Sequence, residues 1–175
     1  LYSDDDLRPA ADVPGYWIVE GLATFFEEGR FDVDAGTWSL FDARATSLDT
    51  VQALAVTGGL LDWEQVYASD AARFRLLPRG KESGTKLVRY WQVGARSIVP
   101  ARLFYDQAAA TVHYLYHAEG GAYRARLVEY VTSRYTGRAE KLAIEAAFGM
   151  PSAVLGRKVE TYAREVASGW RPPGS

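Results

Sequence analysis

The clearest pattern in the chain is a run of apolar residues at helical spacing over residues 15–28. At 100° per residue, one broad arc holds Ile18, Val19, Leu22, Ala23, Phe25 and Phe26. The other side holds Glu20, Thr24, Glu27 and Glu28, with Trp17 and Gly21 beside them. Pro14 suits a first helical turn, and Gly29 is typical of a helix end. The pattern predicts an amphipathic helix.

Later segments are also mostly helical in pattern. Helical periodicity recurs over residues 48–57, 60–77, 105–119, 122–137, 138–149 and 153–168. Ser47 is expected to cap the first of these helices. Weak alternation around residues 34–36, and β-branched and aromatic residues around Gly94, each favour a short hairpin. We therefore expect a mainly α fold with one or two short β-hairpins.

The same patterns suggest how the chain is organised. Residues 1–13 are acidic and aperiodic, which predicts an extended lead-in, and residues 169–175 resemble a flexible tail. Residues 14–168 are expected to form a single mainly helical domain, since this length suffices to bury a core. The chain begins with Leu1 and not with methionine, so we expect a processed chain or an excised fragment that a targeting segment or another domain would precede.

Composition and charge exclude several classes of function. The net charge is −2, so no basic surplus is present to neutralise phosphates, and we expect no nucleic-acid partner. The chain has no cysteine, which excludes disulfides, thiolate nucleophiles and cysteine zinc sites. No stretch of about 18 apolar residues occurs, so no transmembrane segment is expected. The compartment stays undecided from these features.

Glu20 has two unusual neighbours. Taken alone, a carboxylate on the polar side of a helix is typical of solvated charge. Trp17, however, is large and apolar yet lies toward this side, so the side is expected to face other parts of the protein. Gly21 costs about 1 kcal/mol in a helix interior relative to alanine. That cost favours a close approach of another group to the backbone beside Glu20.

The stretch "PGYWIVEGLATFFE" (residues 14–27) resembles the third-ligand helix of gluzincin zinc metallopeptidases, which commonly reads P-x-W-L-x-E-G-x-A-x-x-x-E. Residues 104–131 and 143–166 resemble, in the same order, later segments of the peptidase MA-like (DUF1570) families. The resemblance implies that the chain is a helical subdomain of a gluzincin-like metallopeptidase acting on a peptide or protein substrate. A secreted or cell-envelope location is the corresponding expectation.

The resemblance also implies roles for particular residues. Glu20 would be the third zinc ligand, and an upstream H-E-x-x-H helix of the same polypeptide would supply two histidines and the general base. Tyr105 would stabilise the developing oxyanion. Thr24 takes the position of an acidic residue that orients a histidine in thermolysin-type members. Gln107 is a weaker candidate for substrate contact.

The H-E-x-x-H motif itself does not occur in this sequence. We therefore expect zinc in the full-length protein, no tightly bound zinc in this chain, and no activity of the isolated chain. The alternative is a non-catalytic helical binding or scaffold module with a degenerate peptidase-like fold. An H-E-x-x-H motif upstream of Glu20 would discriminate between these hypotheses.

The two histidines, His113 and His117, are spaced to share one helix face. This spacing suits a pair of metal ligands, but position 114 is tyrosine, so the base of the zinc motif is missing. Asp106 lies on the same stripe but about 16 Å along the helix from His117, too far to share an ion. Surface or packing histidines are the other interpretation, and it is the favoured one.

Overall fold

The computed structural model describes residues 15–34, 36–39, 45–77, 91–135 and 143–167. The helices and strands in these ranges are α1 (Tyr16–Glu27), β1 (Arg30–Asp32), β2 (Thr37–Ser39), α2 (Thr46–Thr57), α3 (Trp63–Ala68), α4 (Ala71–Arg75), β3 (Trp91–Val93), β4 (Arg96–Ile98), α5 (Pro100–His117), α6 (Arg124–Tyr135), α7 (Ile144–Phe148) and α8 (Ser152–Ala167). The predicted lead-in and tail lie outside the described residues.

The mainly α class and both short hairpins are confirmed. Strands β1 and β2 pair antiparallel, with Phe31 opposite Trp38, and strands β3 and β4 pair antiparallel, with Gln92 opposite Ser97. The second hairpin turns at Gly94, whose φ of 57° lies in the left-handed region that glycine adopts without strain. No helix in the described part of the chain is long and apolar enough to cross a membrane.

The helix predicted over residues 60–77 is two short helices. The Asp62 side chain accepts a hydrogen bond from Gln65 N at 2.9 Å, and the Asp70 side chain accepts one from Arg73 N at 2.7 Å. Each aspartate therefore caps a separate helix start, α3 and α4 respectively. The apolar periodicity continues across this break and so gave no sign of it. The break occurs because the Asp70 side chain hydrogen-bonds to the backbone at the point where the chain turns.

Helix α5 is the centre of the fold. Helices α1, α2, α6 and α8 all pack against it. Its middle is closed to solvent on every side, and Ala108, Ala109 and Ala110 are all fully buried. Three consecutive alanines leave little side chain on the helix surface, so neighbouring helices approach from several directions at once.

Gly21 is the point at which α1 meets α5. A Cβ atom added at Gly21 would lie 2.7 Å from the Ala108 carbonyl oxygen and 3.1 Å from a Val112 methyl group. The close approach expected from the sequence is therefore present, and it is a helix–helix contact. The backbone φ of Gly21 is an ordinary helical one, so glycine is needed here for space and not for its conformational freedom.

The burial of α1 differs from the single arc that the sequence predicts. The buried residues are Trp17, Ile18, Gly21, Thr24 and Phe25. Trp17 belongs to the core because it packs on Tyr67 and Tyr130, at centroid distances of 5.3 and 5.8 Å. The apolar residues Val19, Leu22, Ala23 and Phe26 are only half-buried or exposed. Helix α1 therefore has a buried face and a second apolar stripe, the outward stripe, in which Ala23 and Phe26 are exposed while Val19 and Leu22 are partly buried against the core.

Candidate functional site

Glu20 lies half-buried on α1, between the core face and the outward stripe. Tyr16 lies one helical turn earlier, so its side chain and that of Glu20 occupy neighbouring positions on the helix surface. Burial, together with this carboxylate, raises the pKa of Tyr16 well above its ordinary value. The phenol is therefore protonated at neutral pH.

An aromatic cluster links Tyr16 to Tyr105. The Tyr16 ring packs on Phe74 of α4 at a centroid distance of 5.2 Å, and Phe74 contacts the Tyr105 ring of α5 at 5.1 Å. Tyr105 is also close enough to Tyr16 to influence the pKa of its phenol. The fold thus brings the regions of Glu20 and Tyr105 together across three helices. Their roles as ligand and transition-state stabiliser stay predictions.

A further phenol approaches Glu20 from the end of α6. Burial, followed by the negative charge of Glu20, raises the pKa of Tyr135. Glu20 therefore lies near phenols contributed by α1 and α6, with Tyr105 of α5 beside them. Sequence reasoning missed Tyr16 and Tyr135. The one sequence signal for a phenol near Glu20 is that Tyr16 precedes it by four residues, a spacing that makes the two side chains neighbours on a helix.

Thr24 lies on the core side of Glu20. Its side chain is 6% exposed and faces the interior, one turn after the glutamate. A threonine hydroxyl at this depth is consistent with a supporting role, but it carries no charge with which to orient a histidine. The position of Thr24 alone does not test its predicted role beside the ligand.

Gln107 does not contact a substrate-accessible surface, so that prediction was wrong. The side chain is fully buried; its Oε1 accepts from Leu61 N at 2.8 Å and its Nε2 donates to Leu61 O at 3.1 Å. Both ends of the amide are therefore used to hold the segment before α3 against α5. A polar residue in a helix predicts exposure, and only the tertiary contact reveals this clamp.

His113 and His117 are packing residues, and the surface alternative was wrong. Their side chains are 5% and 8% exposed, and their rings lie 4.6 Å apart beneath Phe25. His113 Nδ1 is hydrogen-bonded to the Tyr162 hydroxyl at 2.8 Å. Burial, helped by His117, lowers the pKa of His113 to about 3. Burial, helped by Arg124, lowers the pKa of His117 to about 4.

Two carboxyl groups, half-buried Glu28 and buried Asp106, lie near each other where α1, α2 and α5 meet. The Glu28 carboxylate accepts from Ser47 N at 2.8 Å and from Ser47 Oγ at 2.7 Å, so Glu28 caps α2 from outside. Ser47 is thus the capped residue, and the prediction that it caps the helix was wrong. Asp106 is fully buried, with Oδ1 2.9 Å from Arg102 Nε. Burial raises the pKa of both carboxyl groups.

We expect Asp106→Asn to change the free energy of unfolding at pH 7 by less than about 1 kcal/mol. Burying the Asp106 charge is costly, while its partner Arg102 is 43% exposed and stays solvated when the carboxylate is removed. Urea unfolding at pH 7 measures the change, with the exposed Glu129→Gln on α6 as control. A loss above about 3 kcal/mol would show that the ion pair is strongly stabilising.

The arrangement of histidine, aspartate and glutamate side chains limits which metal sites the described residues can form. Within the described ranges, no group of three or more histidine, aspartate or glutamate side chains is arranged to hold a metal ion. A zinc site that includes Glu20 would therefore need its other donors from outside these ranges. No protein-family model, curated protein or solved structure matches the chain.

Proposed function

We propose that this chain is the C-terminal helical part of a zinc-dependent metallopeptidase of the gluzincin type. Glu20 would supply the third zinc ligand, and an H-E-x-x-H helix in an upstream segment of the same polypeptide would supply the others. The proposal begins from the resemblance of residues 14–27 to the third-ligand helix. The observation that supports it is the outward apolar stripe of α1, which runs beside Glu20.

The stripe has the pattern of a helix that packs on a second helix. Val19, Leu22, Ala23 and Phe26 occupy positions i, i+3, i+4 and i+7 of α1. Val19 and Leu22 are partly buried against the core, and Ala23 and Phe26 are exposed. The Phe26 side chain is 53% exposed. Glu20 and Glu27 border this stripe. A helix packed here would therefore place its own side chains next to the Glu20 carboxylate.

The chemistry of the proposed site divides between the ion and this chain's residues. Zinc held by two histidines and a glutamate keeps one position for water and lowers the pKa of that water. Glu20 would hold the ion from α1. Tyr105 would donate its hydroxyl proton in a hydrogen bond to the substrate carbonyl oxygen as negative charge develops there. The substrate would be a peptide or protein.

A non-catalytic binding module is the second candidate. The same apolar stripe is suited to docking a partner helix without any metal, and the described residues contain no three-donor group of their own. This candidate retains the fold of α1 and α5 but assigns no special role to Glu20. The two candidates therefore differ in what a change at Glu20 does.

The deciding experiment uses the longer polypeptide that includes the upstream segment. We expect one zinc per chain in wild type and a loss of more than about 100-fold in zinc affinity in Glu20→Gln, because even residues that only orient ligands account for about 10- to 100-fold. The matched control is Glu27→Gln, about two turns further along the same helix.

Zinc content and hydrolysis of a casein-type substrate are measured together. Unchanged zinc binding in Glu20→Gln would refute the ligand assignment and favour the binding module. For the isolated 175-residue chain we predict no tight zinc binding. Stoichiometric zinc there that disappears in His113→Ala would instead assign metal binding to the histidine pair.

A further inference from the structure

We propose that the cavity between α3, α6, α7 and the start of α8 binds a free α-amino acid with an apolar side chain. The cavity has a volume of about 430 Å³, within the range of about 300–1,000 Å³ that is usual for small-molecule sites. Its walls combine an aromatic floor with charged side chains of both signs. Glu20 does not line this cavity, so the inference stands apart from the proposed metal site.

The floor of the cavity belongs to the core. Tyr67 and Tyr130 are 3% and 1% exposed, and each ring packs on the indole of Trp17, at centroid distances of 5.3 and 5.8 Å. Ile144, at the start of α7, adds an aliphatic surface. Because these side chains are fixed by their other neighbours, the space above them does not close by a local collapse. The floor suits an aromatic or branched aliphatic side chain.

Arg134 provides a fixed positive charge in the wall. Its guanidinium carbon lies 4.9 Å from the centroid of the Tyr130 ring. The guanidinium also lies against the Gly15 backbone, since a Cβ added there would be 3.1 Å from Cζ of Arg134. Gly15 has a φ of 106°, so a glycine supplies both the conformation and the space that the arginine needs. A planar guanidinium held in this way is suited to bind a carboxylate through two parallel hydrogen bonds.

Two carboxylates line the same cavity from other helices. Glu64 belongs to α3 and Glu145 to α7, and both side chains are exposed to solvent. In the described part of the chain neither of them forms an ion pair, so neither is neutralised by Arg134. The cavity therefore presents negative charge in addition to a fixed guanidinium. An ammonium group donates up to three hydrogen bonds and is a natural partner of such carboxylates.

The presence of both charge signs selects the class of ligand. A simple anion would be repelled by the two glutamates, and a simple cation would be repelled by Arg134. A free α-amino acid carries its carboxylate and its ammonium group on one carbon. Both ends can therefore be matched while the side chain packs on the tyrosine floor.

An NMR titration of the 175-residue chain at pH 7 tests the assignment with three related probes. L-phenylalanine carries both charged ends, phenethylamine lacks the carboxylate, and 3-phenylpropionate lacks the ammonium group. We expect L-phenylalanine to bind with a Kd of about 1 mM or lower, and each analogue to bind about 10- to 100-fold more weakly. Equal affinity for all three probes would show that the charges play no part and would refute the proposal.

Variants that remove charge assign the two ends of the ligand. Arg134→Gln should weaken the binding of L-phenylalanine about 10-fold or more but should not weaken that of phenethylamine. Glu64→Gln combined with Glu145→Gln should weaken the binding of L-phenylalanine but not that of 3-phenylpropionate. The control is Glu129→Gln, an exposed change on α6, which should leave all three affinities as in wild type. Charge variants that bind L-phenylalanine like wild type would contradict the assignment.

Filling the cavity is an independent test. Ala68 is an exposed residue at the end of α3 that lines the cavity, so Ala68→Phe occupies its volume without removing a charge or a core contact. We expect this variant to lose L-phenylalanine binding and to keep the wild-type thermal midpoint. It tests the site even if Arg134→Gln, which loses its packing on Tyr130, fails to fold. Undiminished binding to Ala68→Phe, or no binding of L-phenylalanine to wild type at about 10 mM, would overturn the proposal.

Discussion

Gly21→Ala is expected to lower the free energy of unfolding by about 1–3 kcal/mol, although alanine is the better helix former. The added Cβ would lie 2.7 Å from the Ala108 carbonyl oxygen and 2.9 Å from its carbon. These are backbone atoms of the central helix and cannot rotate away as a flexible side chain would. Helix α1 would have to move away from α5, which would also disturb the relation between Glu20 and Tyr105.

The matched control is Ala23→Gly on the exposed side of the same helix. There the substitution removes no buried contact, so it should cost only the intrinsic difference of about 1 kcal/mol. Urea unfolding of the wild type and both variants gives the comparison. A Gly21→Ala variant at least as stable as wild type would mean that α1 and α5 do not approach as closely as described.

The second large effect is a loss of stability in acid caused by His113 and His117. Both pKa values lie below the unfolded value of about 6.5, at about 3 and about 4. The unfolded chain therefore binds more protons than the folded chain in this range, and stability falls as pH drops from about 6.5 toward about 3. Full protonation of both imidazoles is therefore expected to cost several kcal/mol of stability, at about 1.4 kcal/mol for each pKa unit.

The His113→Gln variant isolates this effect. Glutamine still offers an acceptor to the Tyr162 hydroxyl but does not titrate. The number of protons taken up on unfolding, which sets the slope of stability against pH, should therefore fall by up to one. The raised pKa values of Glu28 and Asp106 act in the opposite direction, stabilising the fold as pH falls, and are present in both proteins. Urea unfolding between pH 7 and pH 4 measures the slopes. Equal slopes would show that folding does not lower the pKa of His113.

Helical and strand periodicity was sufficient to predict most elements, because it is a local property of the chain. It placed α1, α2 and α8 and both hairpins close to their observed positions. It failed on the orientation of α1, where Trp17 and Thr24 are buried and Phe26 is exposed. Aromatic contacts with Tyr67 and Tyr130 decide that orientation, and both partners are distant in sequence.

The candidate site was predictable only in part for the same reason. Glu20 was identified from a family resemblance together with the glycine beside it, and Tyr105 from the resemblance alone. Tyr16 and Tyr135 were missed because the ring of Phe74 and the end of α6 bring them into place. Glu28 looked like a solvated residue, yet it caps α2 across 19 residues of chain.

The ligand role of Glu20 is tested most directly by anomalous diffraction at the zinc edge from crystals of the longer polypeptide. We predict a zinc peak about 2.0–2.2 Å from a carboxylate oxygen of Glu20, beside the outward stripe of α1. A zinc peak elsewhere, with the Glu20 carboxylate in solvent, would contradict the account.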